Sequence, residues 1–201
     1  MNPYFIVKQF EETIAEYCGS KYAVAVESCT AAIFLSLKYT NVQGVQIQIP
    51  KHTYPSVPAS IIHAGGKVDF SNDTWEGEYE LYPLNIWDSA LRFKKGMYHG
   101  GFQCLSFHAK KNLPIGRGGM ILTDDKEAYE WLKLARFDGR VEGEPLNEMN
   151  PIMLGWNMYM TPEQAARGLQ LFQMLYSKDK EDLKVEDQGY PDLSKFKIYE
   201  T

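Results

Sequence analysis

Two adjacent lysines, Lys110 and Lys111, open a loop directly after an apolar run that ends at Phe107. A lysine amine can form a Schiff base when burial or neighbouring positive charge activates it. Most lysines are solvated surface groups, so either one taken singly also reads as surface. Asp88 closes a second apolar run, residues 84–87, and is followed by Ser89-Ala90. A carboxylate there can hold a protonated ring nitrogen, or it can cap the next turn. Ser28-Cys29-Thr30 lies where a strand pattern gives way to a helix pattern. Hydroxyls and free amides at such a junction suit a phosphate, because a helix N-terminus carries partial positive charge. The same residues also serve as an ordinary N-cap. Tyr54, after His52-Thr53, offers a face for stacking on a flat ring, and Asn157 offers a polar contact; packing and turn roles are the plainer readings of each. Gly116-Arg117-Gly118-Gly119 reads as a close turn between strands, since its spacing fits neither a Walker loop nor a dinucleotide-binding loop.

These groups need a scaffold that brings them together. Pro3 at a first helical position, then Val7, Phe10, Ile14 and Tyr17, predicts a helix that Gly19 can close. Residues 22–26 read as a buried strand and 31–37 as the helix after it, the first half of a βαβ unit. Further strands are expected at 45–49, 67–70, 84–87, 102–107 and 119–123, and helices at 56–64 and 126–137. Residues 71–82 read as a polar loop. Thr161-Pro162-Glu163-Gln164 is a capping box whose helix carries Ala165, Leu169, Phe172 and Tyr176 on one face. Residues 177–201 are charge-rich and are expected to be a peripheral tail. The alternation predicts an α/β fold with a mostly parallel central sheet flanked by helices. Ligands in such folds sit at the carboxyl ends of strands, the edge that should hold Ser28 to Thr30, Asp88 and the loop after Phe107.

The chain has 201 residues, 44% of them hydrophobic, enough to fill a real core. A formal charge of −5 gives no reason to expect a nucleic-acid partner. No apolar run approaches the length of a membrane span. Cys18, Cys29 and Cys104 form no CxxC pair and fit reduced thiols in a cytoplasm, and the four histidines show no metal-ligand spacing.

The order of the fragments carries a resemblance. Phe10-Glu11, then Ala15-Glu16-Tyr17-Cys18-Gly19-Ser20-Lys21-Tyr22-Ala23-Val24-Ala25-Val26 and Ser28-Cys29-Thr30-Ala31-Ala32, resembles the opening of the DegT/DnrJ/EryC1/StrS aminotransferases. Pro50 with Thr53-Tyr54 and Ala64-Gly65-Gly66-Lys67-Val68 is similar to the family's next block. So are Asp88-Ser89-Ala90, then Ser106-Phe107-His108-Ala109-Lys110-Lys111-Asn112-Leu113 with its glycine turn and Thr123-Asp124-Asp125, and finally Leu154-Gly155-Trp156-Asn157-Met158-Tyr159-Met160-Thr161 with Gln164-Ala165-Ala166. The likeness spans about residues 10–173.

The resemblance implies a pyridoxal 5'-phosphate (PLP) large domain over residues 1–176, followed by a charged tail over 177–201 and lacking the family's C-terminal small domain. It implies Lys111 as the Schiff-base lysine, because the family's lysine stands five residues after the serine. Asp88 would pair with the pyridine nitrogen, and Tyr54 would stack on the ring. Thr30, the amide of Ala31 and Ser106 would hold the phosphate. Asn157 would reach the phosphate of a neighbouring subunit, implying a homodimer with shared sites. The implied activity is amino transfer from an amino acid, glutamate in the usual case, to a keto nucleotide-sugar. The sequence departs from the family at Leu91, where His or Gln is usual, at Arg117, where Glu is usual, and at Tyr159, where Arg is usual. The alternative is a non-catalytic PLP-binding domain that serves as an interaction module or needs a partner chain.

Overall fold

The computed structural model describes residues 2–145, 147–175 and 180–200. Helix α1 (Phe5–Cys18) ends where Gly19 takes a left-handed conformation (φ 88°) and donates its amide to Ala15 O at 2.8 Å. Strand β1 (Tyr22–Val26) runs into α2 (Cys29–Tyr39), whose N-cap Ser28 accepts from the Ala31 amide at 3.1 Å. There follow β2 (Gln46–Pro50), α3 (Ser56–Ala64), β3 (Lys67–Ser71), β4 (Tyr79–Glu80), β5 (Ile86–Asp88), β6 (Phe102–Ser106), β7 (Gly119–Thr123), α4 (Lys126–Ala135) and α5 (Pro162–Leu175). The capping box forms as expected: Thr161 N donates to Gln164 Oε1 at 2.9 Å, and Gln164 N donates back to Thr161 Oγ1 at 3.4 Å. Tyr176, expected on the face of this helix, and the boundary between 176 and 177 lie outside the described residues.

The α/β class holds, with mixed strand directions in place of a mostly parallel ladder. The five-stranded sheet has the order β1-β7-β6-β5-β4, in which only β5 and β6 pair in parallel. Strand β7 is inserted antiparallel between β1 and β6, so those two still point the same way, as does β5. Strands β2 and β3 form a separate parallel ladder. Gln48 and Tyr82 exchange backbone bonds of 2.8 and 3.1 Å, which ties that ladder to the end of the β4 hairpin. The polar stretch 71–82, expected to be a loop, thus contains strand β4.

Alternation explains the layering. Val24, Val26, Cys104 and Ile121 face the cluster built by α2, α3 and α4. Ala23, Ala25, Leu105, Met120 and Leu122 face the cluster built by α1 and α5. Successive strand residues point to opposite faces, so the small and branched residues of β1 bury both sides at once. Gly168 lets α5 approach closely: a Cβ there would stand 2.8 Å from Phe10 Cζ and from Ile115 Cδ1.

Candidate active site

Strands β1, β5 and β6 share a direction, so their carboxyl ends deliver Ser28, Asp88 and Ser106 to one edge of the sheet. Gly119 starts β7 on that edge, opposite both Val26 and Ser106. A Cβ on Gly119 would meet Ser28 C at 2.4 Å, so only glycine lets the α2 N-terminus lie this close to the β6–β7 turn. A pocket of about 370 Å³ opens there, lined among others by Thr30, Tyr54, Asp88, Ser106 and Lys111. Its volume lies within the range of ~300–1,000 Å³ usual for small-molecule sites.

Asp88 forms the floor and is only 3% exposed. Tyr79 Oη donates to Asp88 Oδ2 at 3.0 Å, and the Ala90 amide donates to Oδ1 at 3.0 Å. Cys29 Sγ stands 3.8 Å from Oδ1 and donates to Cys104 O at 3.4 Å. Burial raises the Asp88 pKa above the usual carboxylate value, against the Ala90 amide, the Tyr79 hydroxyl and the charge of Lys111. The same burial pushes Tyr79 and Cys29 well above their ordinary values, with Asp88 adding to both shifts. Tyr79 therefore stays a hydrogen-bond donor to the carboxylate.

Lys111 lies in the loop between β6 and β7, pinned where Phe107 N donates to Gly118 O at 2.9 Å and Lys111 N donates to His108 O at 2.9 Å. Burial lowers its pKa, and the facing Asp88 charge only partly restores it. A desolvated amine and a buried carboxylate thus face the same cavity, shifted in opposite directions. Of the two lysines, Lys110 is exposed and Lys111 is half-buried.

Hydroxyls gather on the α2 side. Thr30 Oγ1 and Ser56 Oγ share a hydrogen bond of 2.7 Å, and Ser28 and Ser106 line the same wall. The Ala31 amide, expected to be free for a phosphate, is spent on the Ser28 cap, and Ala31 is not among the lining residues. Tyr54 is 57% exposed on the rim. Asn157 is exposed and outside the lining residues; its Nδ2 donates to Asp138 Oδ2 at 3.1 Å. Thus five of the seven candidates meet in one pocket, and Ala31 and Asn157 do not.

Several lining or supporting residues had no sequence signal. Tyr79 comes from the missed strand β4, and Thr53 Oγ1 bonds its hydroxyl at 2.6 Å. Glu78, beside it, gathers Arg92, His99 Nε2 at 2.9 Å, Ser89 Oγ at 2.6 Å and Gln103 Nε2 at 2.9 Å. Gln188 and Tyr190 reach the pocket from the stretch expected to be a peripheral tail. Behind β1, the buried Arg136 guanidinium binds Ala25 O, Glu11 and, at 2.8 Å, Glu142 Oε2. Glu11 Oε1 also accepts from the Ala25 amide at 2.8 Å, so one charge cluster fixes the strand that ends at the pocket.

Fold and pocket together define an α/β domain with a small-molecule site at the carboxyl ends of its parallel strands. The chain belongs to the DegT/DnrJ/EryC1/StrS aminotransferase family, whose model matches residues 2–81 and 94–184. Asp88 falls between the two matched stretches. Among curated relatives, the spore coat polysaccharide biosynthesis protein SpsC of Bacillus subtilis is 28% identical over 66% of this chain and 46% of its own. GDP-perosamine synthase of Caulobacter vibrioides is 28% identical over 82% of this chain and 55% of its own. Of solved structures, Helicobacter pylori PseC, an aminotransferase of pseudoaminic acid biosynthesis, superposes with a TM-score of 0.70 at 20% identity, covering 85% of this chain and 58% of its own. The PLP form of Spr1654 of Streptococcus pneumoniae gives 0.71 at 21% identity, covering 86% and 60%. The chain therefore spans about half the length of the curated relatives it matches. Among the described residues no helix is long and apolar enough to cross a membrane.

Proposed function

We propose that this chain binds PLP and takes part in amino transfer from an amino acid, glutamate in the first instance, to a keto nucleotide-sugar. The observation that carries the reading is the meeting of Asp88 and Lys111 on one pocket, with their pKa values displaced in opposite directions by burial. The residues present fit the group: a buried carboxylate for a protonated ring nitrogen, an amine for an aldehyde, hydroxyls for a phosphate and an aromatic rim for a flat ring.

Bound PLP supplies an electron sink for charge developing on the amino-acid Cα. Asp88, held by Tyr79 and the Ala90 amide, keeps a ring nitrogen protonated, and that interaction offsets the cost of burying its charge. Lys111 would hold the cofactor aldehyde through its amine, and as a free amine its pKa, lowered by burial, would suit it to take a proton from the amino-acid Cα. Thr30, Ser56 and Ser106 bind phosphate oxygens at the α2 N-terminus, joined by the Ala31 amide if the Ser28 cap lets go. Tyr54, on the rim, would stack on the ring. Asn157, exposed and away from its own pocket, suits the family arrangement in which it reaches a second subunit's phosphate, so the working assembly is a homodimer in the cytoplasm.

The test is the visible absorption spectrum of purified protein with PLP, wild type against Lys111→Ala, before and after glutamate. A band that needs Lys111 and bleaches with glutamate supports both cofactor chemistry and the donor half-reaction. A Lys111-dependent band that ignores every amino acid leaves a binding domain or one half of a shared enzyme. Absence of any Lys111-dependent band refutes the reading.

A further inference from the structure

The described residues after 180 do not trail into solvent; they cross the pocket mouth and are tied down on both rims. On the Lys111 side, Asn112 Nδ2 donates to Glu181 O at 3.2 Å, Lys180 Nζ donates to Asn112 O at 3.2 Å, and Leu183 N donates to Leu91 O at 2.9 Å. Asp182 receives Arg92 Nε and Nη2 at 3.1 and 2.9 Å, and Lys94 pairs with it at 3.0 Å. On the Tyr54 side, Leu193 N donates to Lys51 O at 2.9 Å and Lys51 pairs with Asp192 at 3.2 Å. The far end is fixed by Tyr199 Oη, which donates to Pro55 O at 3.2 Å. Between these anchors, Gln188 and Tyr190 line the cavity. The Tyr190 ring stacks on Trp75 at 6.2 Å between centroids and 12° between planes, and meets the edge of Tyr54 at 6.4 Å. Burial raises the Tyr190 phenol pKa, and the Asp88 charge raises it further, so the phenol senses the pocket floor.

We propose that residues 180–200 form a strap by which the chain walls its own pocket, and that Tyr190 is a ligand-contacting residue whose ring packs against the flat cofactor ring. Most of the strap, from residue 185 on, lies beyond the stretches that match the family model. The strap does not plug the site: a cavity of about 370 Å³ remains, bounded by Tyr190, Tyr54, Asp88 and Lys111 together. Aromatic side chains are suited to this place, because a ring presents a large rigid face at little entropic cost. Backbone bonds on both rims, rather than side-chain packing alone, hold Tyr190 ready before any ligand arrives, so little ordering is required on binding.

The inference rests on the PLP reading above, and the experiment separates the two. PLP is titrated into wild type, Tyr190→Phe and Tyr190→Leu, each checked for native circular dichroism, and the dissociation constant is read from the Lys111-dependent band. Leucine keeps apolar bulk but removes the flat face, and is expected to weaken PLP roughly tenfold, about 1.4 kcal/mol; phenylalanine should stay within about twofold of wild type. In parallel, PLP should slow proteolytic cleavage at Lys184. Unchanged affinity in Tyr190→Leu overturns the contact, as does a loss in Tyr190→Phe equal to that in Tyr190→Leu. Tighter binding in Tyr190→Leu shows a plug and overturns it too. A wild type without a Lys111-dependent band overturns both readings; a wild-type band with any of the three preceding results overturns the strap alone.

Discussion

Replacing Arg136 by methionine probes the charge cluster that fixes β1 behind the pocket. The Arg136 side chain is 0% exposed and Glu11 4%, so neither charge has water to fall back on. Removing one partner of a buried pair costs about 3–5 kcal/mol, because the other is left uncompensated. Lys133 remains 3.0 Å from Glu11 and the Ala25 amide 2.8 Å from it, which places the cost at the low end, about 3 kcal/mol. For a chain of this size that is a fall in Tm of about 6–12 °C. The pH dependence has a definite sign. Burial alone would raise the Glu11 carboxyl, but Arg136, Lys133 and the Ala25 amide outweigh it and hold the carboxyl below its ordinary value. A depressed folded-state pKa contributes stability that is present above the unfolded value, about 4.3, and is lost as pH falls through the folded one. Without Arg136 the carboxyl is less depressed, so less stability is present above that value and less is lost on acidification. The assay is urea unfolding from pH 4 to 8 for wild type, Glu11→Leu, Arg136→Met and the double variant. The double variant should be less destabilised than the sum of the singles by about 2 kcal/mol. A single-variant cost under about 1 kcal/mol, or simple additivity, would refute the reasoning.

Asp88→Asn should leave the cofactor-free protein at least as stable as wild type at pH 7. The folded-state pKa of Asp88 is raised, so its contribution is present below the unfolded value and lost as pH rises through the folded one; asparagine removes that slope while abolishing tight PLP binding. Thermal melts from pH 4 to 8, with and without PLP, check both halves, and a variant less stable than wild type across that range would count against the burial argument. Gly119→Ala should cost about 1–3 kcal/mol and weaken PLP further, because the new methyl meets the Ser28 backbone, which cannot swing aside as a side-chain tip would; an unchanged melting temperature would show that the α2 N-terminus yields freely.

The sequence by itself determined the local elements and the chemical inventory. Helix α3 and strands β1 and β7 fall where composition and punctuation place them, because Gly19, Gly65 and short branched runs act over a few residues. Lys111 and Asp88 were legible from residue type and from the family resemblance. The resemblance singles out Lys111, which is half-buried, over Lys110, which is exposed. Only the tertiary structure decided what surrounds them. Strand β7 inserts antiparallel because β6 and β7 are joined by a loop, residues 107–118, rather than a helical crossover, and nothing within either strand states its direction. Tyr79 reaches Asp88 from a two-residue strand inside a polar stretch, too short to show a period. Residues 180–200 read as solvated because their composition is charged, yet Asp182 and Asp192 find cationic partners on opposite rims of the pocket. Pairings between residues about seventy to one hundred and forty apart in the chain are invisible to any local pattern, and they turn a charged segment into a wall.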